Sequence, residues 1–137
     1  MANAIPAVWI DANVLLRHAM RDDPGQFRQV ESLFDRAERG EILLRFGTEI
    51  VMESIWAMTS EFGLSRQLAA RTLAMYLNAD GVEPLDRELV EKALSLVAEF
   101  SVDPADAFLA VRAARSGEPV ASFDRDLRKL GVELVKL

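Results

Sequence analysis

The sequence predicts an α/β fold built on a parallel sheet, and three observations carry that expectation. Short apolar runs alternate along the chain with stretches whose apolar residues recur every three or four positions. The short runs are nearly continuous in hydrophobicity, as in sheets covered on both faces, rather than alternating in-out. The helical stretches begin at Asp, Ser or Thr and several end at Gly, the residues favoured at helix starts and stops. The chain of 137 residues has room for one domain with a proper core, so residues 1–137 are expected to form a single unit of three layers.

In order, residues 7–10 read as a buried first strand and residues 12–19 as a helix. Asp23 caps the next helix with Pro24 at its first position, and Phe27, Val30, Leu33, Phe34 and Ala37 form its apolar face to about residue 39. Residues 42–46 are a second strand. Thr48 opens a helix to residue 61, and Ser65 starts another over residues 66–77. Residues 82–85 are a short third strand, and Asp86 caps a helix over residues 87–100. Asp103-Pro104 opens a helix to residue 115, closed by Ser116-Gly117. Residues 119–122 form a fourth strand, Asp124 begins a short helix to residue 130, and residues 132–135 form a fifth strand.

Composition excludes several function classes. Half the residues are hydrophobic and 28% are charged, as in globular proteins rather than disordered ones. There is no cysteine, so no disulfide framework, thiolate metal site or thiol nucleophile is available. The sole histidine, His18, reads as structural or exposed and cannot take part in repeated His chemistry. Residues 1–10 lack the basic and long apolar regions of a leader, and no apolar run reaches membrane-spanning length, so a cytoplasmic protein without membrane attachment is expected. The net charge of −6 argues against a simple basic nucleic-acid binder. Positive charge is mostly arginine, 13 against 3 lysines, which suits phosphate recognition but equally follows from codon usage.

Four acids stand out by position. Asp11 follows the first strand, at the end of a parallel sheet where ligands bind. Glu53 lies within the helix that starts at Thr48, with Ile50, Trp56 and Ala57 on its face and no cation within one turn. It therefore reads as half-buried, at a place where an unpaired charge is costly. Asp106 lies in the first turn after Asp103-Pro104, and Asp124 follows the fourth strand. Each also has a plain structural reading: Asp11, Asp103 and Asp124 are natural helix caps, Asp106 a capping-box acid, and Glu53 a solvated helix position. If the four converge, their repulsion calls for a counter-ion, and an all-oxygen set suits Mg²⁺ or Mn²⁺. Such a centre binds phosphate and activates water, which points to phosphodiester chemistry.

The same residues resemble a known family. Ile10-Asp11-Ala12-Asn13-Val14-Leu15-Leu16-Arg17 resembles the opening motif of PIN domains, in particular the VapC-type toxins of bacterial toxin–antitoxin pairs. Glu53-Ser54-Ile55-Trp56 resembles their second motif, Asp103-Pro104-Ala105-Asp106-Ala107-Phe108-Leu109-Ala110 the third, and Ser122-Phe123-Asp124-Arg125-Asp126-Leu127 the fourth. The resemblance implies a three-layer α/β/α sandwich around a five-stranded parallel sheet in the order 3-2-1-4-5. It implies a Mg²⁺- or Mn²⁺-dependent endoribonuclease with Asp11, Glu53, Asp106 and Asp124 as catalytic and metal-holding acids. Asn13 would support Asp11, Ser122 would order the fourth acid, and Asp126 stands as a supporting neighbour of Asp124. A metal-activated water would attack the RNA phosphodiester in line, leaving 5′-phosphate and 3′-hydroxyl ends. The resemblance also implies a homodimer held inactive by a cognate antitoxin. Two departures are Ala12, where a hydroxyl residue is common, and Pro104, which replaces a frequent Phe. Arg17, Arg112 and Arg115 are candidates for contact with RNA or antitoxin, against the plainer reading of solvated surface charges.

Two other readings are weighed. A phospho-acceptor receiver domain also places acids at strand ends, but it needs a Lys after a late strand where this chain has Phe123-Asp124. A catalytically silent PIN-like binding partner in an antitoxin or repressor complex is the alternative that an intact set of four acids speaks against.

Overall fold

The computed structural model describes residues 4–137; residues 1–3, on which the reading of the chain's opening partly rests, lie outside them. Strand β1 (Ala7–Trp9) leads into helices α1 (Ala12–Met20) and α2 (Pro24–Glu38), followed by β2 (Leu43–Phe46). Helices α3 (Thr48–Ser60) and α4 (Arg66–Leu77), strand β3 (Val82–Pro84), and helices α5 (Arg87–Phe100) and α6 (Pro104–Ser116) come next. A 3₁₀ helix, Arg125–Leu130, completes the elements. Among the described residues no helix is long and apolar enough to cross a membrane.

Local chemistry explains most helix starts. The side chains of Asp11, Asp23, Ser65 and Asp103 accept from the backbone N–H groups of Val14, Gln26, Leu68 and Ala105 at 3.1, 3.0, 3.1 and 2.8 Å. Each satisfies a donor that has no partner inside its helix. Pro24 and Pro104 occupy first-turn positions where a missing N–H costs nothing. Asp86 departs from the expected cap. It adopts a left-handed backbone (φ 54°) and makes no side-chain cap bond; its carboxylate accepts from Arg115 Nη1 at 3.0 Å instead.

The sheet has three parallel strands in the order β1-β2-β3, with the helices packing around it. This corrects the expected five-stranded sheet in the order 3-2-1-4-5. Residues 119–122 and 132–135 meet only in one parallel bridge, Val120 to Leu134, made by Val120 N–H to Glu133 O and Val135 N–H to Val120 O, both 2.8 Å. The physical reason lies in the segment itself. It opens on Pro119, which has no N–H to donate to a ladder, and only Val120 in it is buried, so it lacks the two apolar faces of an inner parallel strand. Val120 joins Ala110, Leu127, Leu130 and Val132 in a small core of its own under α6. The main core joins all six α-helices to β2, with Leu15, Leu44, Met58, Ala69 and Val97 fully buried. Burying a side chain the size of Leu contributes roughly 1.5–3 kcal/mol.

His18 is half-buried where α1, α2 and α4 meet. Its Nδ1 lies 2.6 Å from the Tyr76 hydroxyl, and its ring centroid lies 4.2 Å from that of Phe34 with the planes tilted by 35°. Burial, helped by Arg21, pushes its pKa down, which suits a packing role for a neutral ring.

Gly81, just before β3, has a left-handed backbone (φ 75°), and a Cβ there would run into the Ala37 carbonyl at the end of α2. Gly40 shares the conformation (φ 77°) but faces open space. Gly40→Ala should cost about 1–2 kcal/mol from the backbone alone. Gly81→Ala should cost a further ~1–3 kcal/mol from overpacking. Urea unfolding with unchanged slopes measures both, and equal costs for the two would refute this account of the α2–β3 junction.

Candidate active site

Because β1 and β2 are parallel, their carboxyl ends lie at one edge of the sheet, and α1 and α3 both start from that edge. Asp11 stands there as the exposed cap of α1, with Oδ1 accepting the Val14 N–H. Asn13 is exposed in the first turn of the same helix.

The acids of the later motifs are brought together. Asp106, in the first turn of α6, and Asp124, at the start of the 3₁₀ helix, line one pocket of about 270 Å³, with Asp103, Asp126, Arg66 and Lys129 also on its wall. Asp124 is held on both sides: its N–H donates to Ser122 Oγ at 3.0 Å, and its Oδ1 accepts from Asp126 N–H at 2.9 Å. Ser122 and Asp126 thus fix the backbone and the carboxylate of Asp124 respectively. Asp106 is partly buried, and its pKa is pushed up, first by desolvation and then by the negative charges of Asp103 and Asp124, with Arg66 acting the other way.

Asp11 and Glu53 do not line this pocket. The reading of Glu53 as half-buried is corrected, since it is exposed. The buried face of α3 is Val51, Ser54, Ile55, Ala57 and Met58, and Trp56, counted as an apolar neighbour, is itself 62% exposed. The face shared by Glu53 and Trp56 therefore turns outward. Among the described residues no three His, Cys, Asp or Glu side chains stand close enough together to hold one metal ion. Mg²⁺ does not require three, because it keeps several waters and commonly takes one or two carboxylates plus substrate phosphate. The Asp106 and Asp124 carboxylates, both on the wall of this pocket, are oxygen donors of the kind such a cation takes.

Sequence reasoning did not single out Arg66. It follows the Ser65 cap and looks like a solvated first-turn residue, yet its Nη1 donates to Ser101 O at 2.9 Å and its Nη2 lies 3.9 Å from Asp103 Oδ2. Those partners are 35 and 37 positions away, so no local pattern marks them. Arg17 and Arg115, considered for substrate contact, are engaged by Asp22 and Asp86, and Arg112 is exposed.

The PIN domain family matches residues 8–133 of the chain. The chain belongs to the PIN domain family. No curated protein matches it. The match spans Asp11, Glu53, Asp106 and Asp124 together, and membership of the PIN family is consistent with hydrolase activity in general.

The electrostatics of this PIN chain give a pH test. Asp106 has a higher pKa folded than unfolded, so it binds its proton more tightly in the native state. Its contribution to stability is therefore greatest below the unfolded value of about 4 and is lost as pH rises through the folded value. Asp106→Asn should raise the metal-free melting temperature at pH 7, and the gain should close as pH falls toward 4. A variant less stable than its parent at pH 7 would contradict the crowding of these carboxylates.

Proposed function

We propose that the chain is a Mg²⁺- or Mn²⁺-dependent endoribonuclease acting in the cytoplasm as the toxin of a VapC-type toxin–antitoxin pair. The observation that supports this reading is the pocket lined by both Asp106 and Asp124, from separate motifs of a PIN-family chain, neither of them paired with a cation among the described residues. Asp106 and Asp124 would hold the metal, with Asp11 and Glu53 completing the acidic set. When bound, the ion supplies Lewis-acid and water-activating chemistry toward a phosphodiester. The chain's own part is positional. Ser122 and Asp126 keep Asp124 aimed, the Asp103 cap fixes the first turn of α6 that carries Asp106, and Asn13 stands beside Asp11 at the sheet edge. A second copy of the chain and a cognate antitoxin are the protein partners this reading includes.

The alternative, a catalytically silent PIN-like partner in an antitoxin or repressor complex, is favoured by the lack of a three-carboxylate group among the described residues. Cleavage of total RNA separates the two. Cleavage should appear with Mg²⁺ or Mn²⁺ and vanish in EDTA. Asp106→Asn and Asp124→Asn should each lower the rate at least about 100-fold, and Ser122→Ala, which removes the hydroxyl that accepts the Asp124 N–H, roughly tenfold, in the range seen when support of a ligand is lost. Mn²⁺ should also raise the parent's stability, by about 2.7 kcal/mol at a concentration of 100 Kd. No cleavage of any RNA with either ion, together with no thermal shift, would leave the silent partner as the reading.

A further inference from the structure

A second pocket, of about 290 Å³, adjoins the acidic one and differs from it in character. Met52, Ile55 and Trp56 of α3 and Pro104 of α6 give it apolar walls. Arg66 and Asp103 line both pockets, so the two adjoin at that pair. A singly exposed hydrophobic residue needs no explanation. Trp56 differs by where it stands: 62% exposed, three residues after Glu53 on one helical face, lining a pocket that shares Arg66 and Asp103 with the carboxylate pocket. Arg66 is held at the junction by the Ser101 carbonyl, while its carboxylate contact to Asp103 is long, at 3.9 Å. A flat π surface beside a fixed cation, next to a pocket suited to a metal-bound phosphodiester, matches a nucleotide part by part. Bases stack on aromatic rings whatever their sequence when they are unpaired, and phosphate suits a guanidinium. An apolar peptide side chain would use the indole but would leave Arg66, shared with the acidic pocket, without a role.

We propose that Trp56 and Arg66 form a nucleotide subsite flanking the reaction site, in which an unpaired base of single-stranded RNA stacks on Trp56 and the adjoining phosphate meets Arg66. The proposal rests on the ribonuclease reading for its substrate. It makes the preferred substrate a single strand, since a base held in a duplex cannot reach the indole.

The test uses the full chain carrying Trp9→Phe, so that Trp56 is the only indole, in EDTA at low salt. Single-stranded RNA of about ten nucleotides should quench the Trp56 fluorescence, and the same sequence as a duplex should quench it far less. Trp56→Ala should weaken binding about tenfold, within the range found for removal of one stacking platform, and Trp56→Phe should retain most of it. Arg66→Gln should weaken binding and reduce the slope of log affinity against log salt by about 0.7. In the Mg²⁺-dependent cleavage assay, Trp56→Ala should raise KM with kcat nearly unchanged. Equal binding of duplex and single strand, or unchanged affinity and KM in Trp56→Ala, would overturn the subsite. Quenching by an apolar peptide but not by RNA would do the same. The two readings fail separately. RNA binding that depends on Trp56 in a chain that cleaves nothing removes the ribonuclease and keeps the subsite, whereas cleavage indifferent to Trp56 does the reverse.

Discussion

Asp106 is placed where burial and two neighbouring carboxylates all oppose its charge, and the functional end of the molecule follows from that conflict. The other aspartates at helix starts have structural work that accounts for them. Asp103 accepts the Ala105 N–H and starts α6; Asp124 accepts the Asp126 N–H and starts the 3₁₀ helix; Asp11, at the sheet edge, accepts the Val14 N–H and starts α1. Asp106 has no such bond among the described residues, and its negative charge is favoured only by the dipole at the start of α6 and by the field of Arg66, which the opposing influences outweigh. Helix capping explains three of these acids and leaves the fourth without a hydrogen bond of that kind among the described residues. A cation that binds only the folded form would offset the repulsion by mass action.

The capping acids also explain how the pocket keeps its shape. A carboxylate that closes a helix start is fixed by a hydrogen bond two or three residues along the backbone, so its position is set by the chain rather than by a long side chain's rotamers. Asp124 is the fullest case, clamped between the Ser122 hydroxyl and the Asp126 amide. Capping and ligation are therefore compatible roles for one side chain, since a cap uses one carboxylate oxygen and leaves the other free to face a ligand. The plain and the functional readings of these acids, which look like rivals in the sequence, do not exclude each other.

What was legible in the sequence was what is decided locally. Asp23-Pro24, Ser65 and Asp103-Pro104 announce helix starts because each cap completes its bond within three residues. The sheet was legible only in part. Residues 119–122 have the composition of a strand, but pairing depends on what covers both faces, and a segment with Val120 alone buried reaches a single bridge. Glu53 failed for a related reason: helical spacing identified its neighbours correctly, but Trp56 was counted as core and turns outward. Apolar character predicts the side a residue could bury, not whether another element arrives to cover it. Arg66 was illegible because both of its partners belong to the turn between α5 and α6, distant along the chain.

The distribution of positive charge bears on how so acidic a chain could accept a polyanion. Arg17, Arg39, Arg45 and Arg115 each hold a carboxylate at hydrogen-bonding distance, with Asp22, Glu41, Glu83 and Asp86 as partners. Exposed pairs of this kind contribute little to stability, but they do neutralise the guanidinium they engage. Arg66 is arranged differently. A carbonyl anchors it and its carboxylate stands too far off for a strong bond, so its side chain is ordered while much of its charge remains available. It still counters the upward shift of the Asp106 pKa, which shows that its field reaches the acidic pocket. With few fixed cations at the site, attraction for a phosphate backbone cannot come from a broad basic face. On the proposed function it would come from a metal that reverses the sign of the carboxylate pocket, from one ordered arginine, and from stacking, which is independent of net charge.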